Sequence, residues 1–398
     1  MDSAAREDAN APNWAEVQKL LAVRLDALGD VLMTTPALHA AKASNPARHV
    51  TLLTSAGGAE AARLVPDVDD VIVYDAPWVK ATSVRPGAGP DRQMIRRLAA
   101  GRFDAAVIFT VYSQSPLPAA MLCYLADIPR RLAHCRENPY QLLTDWVRER
   151  EPERGVRHEA ERQLDLVAAV GWRSDDRRMR VRVPDTAAAT IERRLDAAGL
   201  DARTRWAVLH PGASAPSRRY PLERFGSVVR ALAGRYGWRI VLTGSSDELP
   251  LLEPLRAIAP DRILSLGGEL SLAELAALIE RAPLLIANNT GPVHVAAAVG
   301  TPVVDLYALT NPQHTPWQVP SRVLSHDVPC APCYRSVCPE GHHLCLEGVA
   351  PERVVEAALE LMRARRRIRR THGAHGTPPD ARVAEHARAQ ASIAEGGR

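Results

Sequence analysis

Residues 23–36 read VRLDALGDVLMTTP, and this stretch decides the fold. It leaves a short apolar run, Lys19–Leu25, of the length expected for a buried strand. Gly29 lets the chain turn sharply, and Asp30 opens a helical stretch over Asp30–Ser44. Strand, tight turn and helix make the repeating unit of a doubly wound sheet. Such sheets bind ligands in the crevice outside the carboxyl ends of their strands, so Asp30 is placed to face that crevice. The same spacing also fits a plain helix N-cap, in which backbone N–H groups occupy the carboxylate oxygens.

Working outward, the unit recurs. In the first half, strands are expected at His49–Ser55, Asp70–Asp75 and Phe103–Thr110, with helices at Ala59–Leu64, Asp91–Ala100 and Pro118–Ala126. In the second half, strands are expected at Trp206–His210, Trp238–Thr243, Arg262–Leu266, Leu284–Asn288 and Pro302–Leu306. Helices are expected there at Leu222–Tyr236, Glu248–Ile258, Leu272–Arg281 and Pro292–Val299. Alternating strands and helices predict parallel sheets covered on both faces. Two such series predict an α/β protein of two Rossmann-like, doubly wound domains facing a central cleft. The expected organisation is a flexible N-terminus over 1–15, a first domain over 16–190 and a second over 200–362, with the boundary near 185–203. An amphipathic helix, Pro351–Met362, is expected to pack back across both domains. RARRRIRR follows it, and 363–398 reads as a basic, disordered tail.

Three further loops follow strands. HPGASAPSRRYP, at 210–221, has Gly212 and Ser214 for close backbone approach and Arg218 and Arg219 near a helix start, which suits a phosphate. It also reads as an ordinary loop with solvated arginines. TGSSDE, at 243–248, ends in Glu248, which can accept hydrogen bonds from a ribose or base or merely begin a helix. ANNTGPVHVAAAVGTPVV, at 287–304, places Thr290 or Gly291 as cap and Pro292 in the first turn. Free N–H groups there favour an anion, and His294 lies one turn in. A well-capped structural helix with a packed histidine has the same pattern.

Composition sets outer limits. The 398 residues are 46% hydrophobic and 24% charged, which excludes a disordered, collagen-like or disulfide-dense chain. The net charge of +4 does not call for nucleic acid. No apolar run is long enough to span a membrane, and the polar N-terminus does not read as a signal peptide. A cytoplasmic protein is expected.

The stretches LDALGDVLMTTPAL (25–38), LHPGASAPSRRYPLERF (209–225), VLTGSSDE (241–248) and NNTGPVHVAAAVGTP (288–302) together resemble glycosyltransferase family nine. Its best-known members are the ADP-heptose–lipopolysaccharide heptosyltransferases. The resemblance covers roughly 19–362 in the family's order and spacing. It implies a GT-B architecture, with acceptor on the first domain and nucleotide-sugar donor on the second, and an inverting transfer that needs no metal. It also implies Asp30 as catalytic base, with Gly29 beside it on the acceptor side. Arg218 falls where well-known members have a Lys on the donor phosphates. Ser214, Glu248, Thr290, Gly291 and His294 match positions around the nucleotide diphosphate. Asn289, in the same donor-side motif and implied with them as a donor-binding residue, stands where the family often has Asp. The implied partners are an ADP-heptose-like donor and a lipopolysaccharide-type or other glycan acceptor. A nucleotide-sugar epimerase or hydrolase of the same fold, or a non-catalytic nucleotide-sugar binding protein, are the alternatives.

Two features stand apart. Cys330, Cys333, Cys338 and Cys345 read C-x2-C-x4-C-x6-C, with His342 and His343 inside, which suits a structural zinc or iron–sulfur site or plain thiols. Arg92, Arg96, Arg97 and Arg102, Arg130, Arg131 and Arg136, and the run from Arg363 to Arg370 suit peripheral contact with an anionic membrane at its inner face, or a merely solvated surface.

Overall fold

The computed structural model describes residues 13–373 apart from positions 81, 83, 85 and 202. The first lobe runs β1 (Lys19–Arg24), α1 (Leu28–Ser44), β2 (His49–Thr54), α2 (Ala56–Leu64), β3 (Asp70–Val73), α3 (Gly89–Gly101), β4 (Ala105–Ile108), α4 (Leu117–Leu125), β5 (Arg130–Cys135), β6 (Asp145–Arg148) and α5 (Glu159–Ala168). The second runs α6 (Asp185–Ala197), β7 (Trp206–His210), α7 (Leu222–Val229), β8 (Arg239–Leu242), α8 (Leu249–Arg256), β9 (Ile263–Ser265), α9 (Leu272–Arg281), β10 (Leu285–Asn288), α10 (Gly291–Val299), β11 (Val303–Leu306), β12 (Ser321–Leu324), α11 (Leu344–Glu347) and α12 (Pro351–Gly373).

Every strand pair is parallel, and the two sheets have the orders β3-β2-β1-β4-β5-β6 and β12-β11-β10-β7-β8-β9. These are the same winding. In each lobe the chain moves outward for three strands, returns, and pairs its fourth strand beside its first. The central strands are apolar on both faces because helices cover both, so WAVLH of β7 is buried at every position. The winding reverses between β1 and β4, where Leu20 to Val23 pair with Ala105 to Ile108. It reverses again between β10 and β7, where Leu285 to Ala287 pair with Val208 to His210. Loops at such reversals diverge and leave a crevice. LDALGD leaves β1, HPGASAPSRR leaves β7 and NNTGPVH leaves β10, so all three stand at a reversal.

Helix α1 carries Pro36 in its interior, where a proline cannot donate to the Leu32 carbonyl. The Thr35 hydroxyl donates to that carbonyl instead, at 2.7 Å. The same hydroxyl accepts from the Arg180 N–H at 3.0 Å, which ties the interlobe segment to α1. That segment, residues 172–184, has no regular structure and also bonds the Leu64 carbonyl through the Arg182 N–H.

Several expectations differ from the fold. β5, β6, β12 and α5 have no counterpart in the sequence reading. β5 opens on two arginines, and β6 and β12 are short edge strands with charged residues. In α5 the buried face includes Glu159, Arg162 and Gln163, so its apolar period is masked. The last helix extends to Gly373, so 363–373 is helical rather than irregular. It packs on α7 and on β11 and β12 within the second lobe, not across both. The rest of the expected tail, 374–398, lies outside the described residues, as does 1–12 of the expected N-terminal arm. Trp14, also assigned to that arm, is buried edge-on against Trp172.

Thr35→Val should lower stability by about 1–3 kcal/mol, because it strands a buried carbonyl and the Arg180 N–H. Chemical denaturation checks this, and an unchanged midpoint would contradict the assignment.

Candidate active site

The two reversal points face one another across a cleft of about 990 Å³. Its first wall includes Asp26, Gly29, Asp30 and Gln114; its second includes Ser214, Arg218, Glu248, Thr290, Gly291 and His294. Of the catalytic and donor-side residues that the family resemblance implied, only Asn289 does not line it.

On the first wall, Asp30 is the third residue of α1, not its cap. Its Oδ2 accepts from the Ala27 N–H at 3.2 Å, and its Oδ1 from Arg24 Nη2 at 3.1 Å. Its side chain keeps 20% exposure, so the carboxylate is held yet reachable. Arg24 is fully buried. It also pairs with Glu159 Oε1 at 2.8 Å and with Asp26 Oδ2 at 3.0 Å. Burial opposes its charge, but Asp26, Glu159 and Asp30 outweigh this and raise its pKa. Three carboxylates thus share one guanidinium. Burial pushes Asp26 above the usual carboxylate range, Arg24 pulls it down, and the charge on Asp30 adds to the rise. Gln114, on the loop after β4, donates to Asp26 at 2.7 Å and closes the reversal point. Arg24, Asp26, Gln114 and Glu159 were not singled out from the sequence; of these, Arg24 and Asp26 lie in a stretch that was.

On the second wall, Arg218 is partly exposed, and among the described residues no carboxylate or hydrogen-bond acceptor engages its guanidinium. This cation faces the cleft without an ion pair, and the buried Asp305 lies within electrostatic range of it. Thr290 is the N-cap of α10, but its hydroxyl makes no capping bond. The first-turn N–H groups and the helix dipole therefore offer an anion site beside Arg218. His294 is not a second cation. Burial, with His314, His158 and Arg218 nearby, pushes its pKa down to about 3, so it is a neutral imidazole. Glu248 has one oxygen on the Ser245 N–H at 2.8 Å, and the other lies over Gly212, where any Cβ would stand 1.9 Å from it. The helix-start role and the cleft-lining role of Glu248 therefore coexist.

The Asn pair at the end of β10 is built into the scaffold, and the donor-contact expectation for Asn289 is corrected. Asn289 is fully buried, with its amide donating to Asp305 Oδ2 at 2.9 Å and to the His314 carbonyl at 3.0 Å. Asp305 is a buried acid whose pKa burial pushes up to about 7. Asn288 donates to the Pro211 carbonyl at 2.6 Å and accepts from the Tyr220 N–H at 3.0 Å, which shapes the loop carrying Arg218.

The walls meet at two glycines. A Cβ on Gly29 would stand 2.6 Å from His294 Cδ2, and one on Gly291 would stand 3.2 Å from Leu28 Cδ2. The tips of α1 and α10 therefore touch, each against a glycine of the other, and one apolar cluster runs through both helices. This contact sets the distance between Asp30 and the anion site.

The four cysteines lie elsewhere. With His342 they line a cavity of about 20 Å³, unlinked by disulfides. Among the described residues, no three His, Cys, Asp or Glu side chains are grouped to hold a metal ion. Their loop supports the Arg218 turn: the Arg335 carbonyl accepts from the Ser217 hydroxyl at 2.7 Å, and the Ser336 carbonyl from the Ser217 N–H at 3.1 Å.

The sequence model of glycosyltransferase family 9 (heptosyltransferase) matches residues 92–344, more than half of the chain. Lipopolysaccharide heptosyltransferase 3 of Escherichia coli K12 is 34% identical over 131 residues, which are 32% of this chain and 37% of that enzyme. The glycosyl transferase family 9 structure from Veillonella parvula superposes with a TM-score of 0.74 at 23% identity, covering 89% of this chain and 98% of that one. The E. coli ADP-heptose lps heptosyltransferase II superposes with a TM-score of 0.68 at 21% identity, covering 87% and 99%. Both structures share the two-lobed GT-B fold.

In a free helix, Gly→Ala is stabilising by roughly 0.5–1 kcal/mol. At Gly29 the clash with His294 should outweigh that gain, since overpacking typically costs about 1–3 kcal/mol. Gly29→Ala should therefore lower the unfolding midpoint, and a neutral or raised midpoint would contradict the contact.

Proposed function

The chain belongs to glycosyltransferase family 9 and is a glycosyltransferase; on that premise we propose that it moves a heptose, with inversion, from an ADP-heptose-like donor to a hydroxyl of a lipopolysaccharide-type glycan. One observation carries this reading. Asp30 and Arg218, which makes no ion pair among the described residues, line opposite walls of one cleft, with the α10 tip beside Arg218.

The diphosphate then lies against Arg218 and the first-turn N–H groups of α10, and Ser214 and Glu248 border the nucleoside. The acceptor hydroxyl sits at Asp30. Its oxygen attacks the anomeric carbon from the face opposite the phosphate, and the carbon–phosphate-oxygen bond breaks. The bonding pair leaves with the nucleoside diphosphate, and the hydroxyl proton passes to the Asp30 carboxylate. A carboxylate is a weak base for an alcohol. Proton transfer is therefore late, and stabilisation of the leaving diphosphate by Arg218 and the helix tip supplies much of the rate. His294, being neutral, contributes one directed hydrogen bond and no charge.

For a lipid-linked acceptor the enzyme approaches its membrane peripherally. No helix among the described residues is long and apolar enough to cross one. The outer faces of α3 and α4 support this approach: Arg92, Arg96 and Arg97 are exposed beside Met121, Tyr124 and Leu125.

Asp30→Asn should reduce transfer by about 10²–10⁴-fold and leave donor affinity nearly unchanged. Arg218→Ala should weaken both donor affinity and rate. Steady-state kinetics with ADP-heptose, paired with calorimetry, checks both. Full turnover in Asp30→Asn would exclude this carboxylate as the base.

A further inference from the structure

After β11 the chain forms a strap, Asn311–Trp317, that leaves the second lobe and reaches the first. Six contacts pin it. Tyr307 Oη bonds the backbone of Asn311 on both sides, accepting from its N–H at 3.1 Å and donating to its carbonyl. Asn289 donates to the His314 carbonyl at 3.0 Å. His158, the N-cap of α5, donates to the Thr315 carbonyl at 2.8 Å and stacks on Trp317 with centroids 4.4 Å apart. Trp317 donates to the Arg177 carbonyl at 2.6 Å.

All this fixes the backbone of His314 and the rings around it, but nothing holds its imidazole. His314 is 8% exposed and lines the cleft. Its Nε2 is buried without a hydrogen-bond partner, and no described residue bonds its Nδ1. Leaving such a group unpaired costs about 1–3 kcal/mol, so a strap this firmly anchored implies a partner that arrives with the ligand. The groups facing the ring define where that partner sits. Asp30, Glu159, Arg24 and Arg218 all lie within electrostatic range of the ring, as do His158 and His294. Asp30, Arg218 and His314 line the same cleft, so the ring shares it with the proton acceptor and the phosphate grip.

We propose that His314 is a further substrate-touching residue, its imidazole hydrogen-bonding a hydroxyl of the sugar being transferred, a contact that presupposes the sugar-transfer reaction above. Burial keeps the ring below its ordinary pKa, despite Asp30 and Glu159. A neutral imidazole both donates and accepts, as a sugar hydroxyl does, and adds no positive charge beside an anomeric carbon that becomes electron-poor as the phosphate leaves. Asn289 is then a positioning residue for His314. A carboxylate at 289 could not donate to the His314 carbonyl and would face Asp305 Oδ2 at the 2.9 Å now spanned by the amide.

Calorimetry on the full chain with ADP and with ADP-heptose, without acceptor, separates the outcomes. His314→Ala should leave ADP affinity within about twofold and weaken ADP-heptose about tenfold, one charge-free hydrogen bond's worth. His314→Gln, which can both donate and accept, should recover part of the loss. Equal weakening of both ligands would mean that His314 acts only by holding the strap, and would overturn the inference. So would unchanged ADP-heptose affinity in His314→Ala when the wild type binds it more tightly than ADP; the transfer reaction would survive that result. A wild type that binds neither ligand would overturn the donor assignment and the inference with it.

Discussion

Two helix tips hold the two walls of the cleft against one another. α1 of the first lobe and α10 of the second meet at two glycines: a Cβ at Gly29 would clash with the His294 ring, and one at Gly291 would press on Leu28. Each helix starts at a reversal of its own sheet, so this one contact brings two crevices together as a single cleft. Asp30 is the next residue after Gly29, and the anion-binding turn begins at Gly291. Their separation is therefore a consequence of backbone packing and not of flexible side chains. The interlobe segment reinforces the arrangement by hydrogen-bonding Thr35, whose hydroxyl also repairs the gap left by Pro36.

Charge is divided between the walls. The first concentrates three carboxylates on one buried guanidinium, an excess of acid that holds Asp30 in place and leaves it with solvent access. The second has a guanidinium that makes no ion pair among the described residues, the positive end of α10 and imidazoles kept neutral by burial. A diphosphate entering the cleft therefore meets attraction on one side and repulsion on the other. That fixes which wall it occupies and leaves the carboxylate side to a neutral hydroxyl.

The parallel alternation, the two sheets and the loops at their reversals were legible because strand and helix periods and turn residues are local signals. Arg24 and Glu159 were not, since they meet across 135 positions and α5 hides its apolar face behind buried polar residues. Asn289 was misread for a related reason. A motif gives the position of a residue but not the direction of its side chain, and this amide turns inward to Asp305 and the strap. His314 lies in NPQHTP, a polar turn with no pattern of its own; only the pinned backbone and the unpaired ring reveal it. The extension of α12 past Met362 escaped because an arginine-rich helix and an arginine-rich tail have the same composition.

The most direct measurement is a crystal structure of the chain with a non-transferable ADP-heptose analogue. The diphosphate should rest on Arg218 and the Gly291 turn, with the anomeric carbon open to Asp30 on its far side. A nucleotide seated away from Arg218, or a sugar whose reactive face points away from Asp30, would contradict the account.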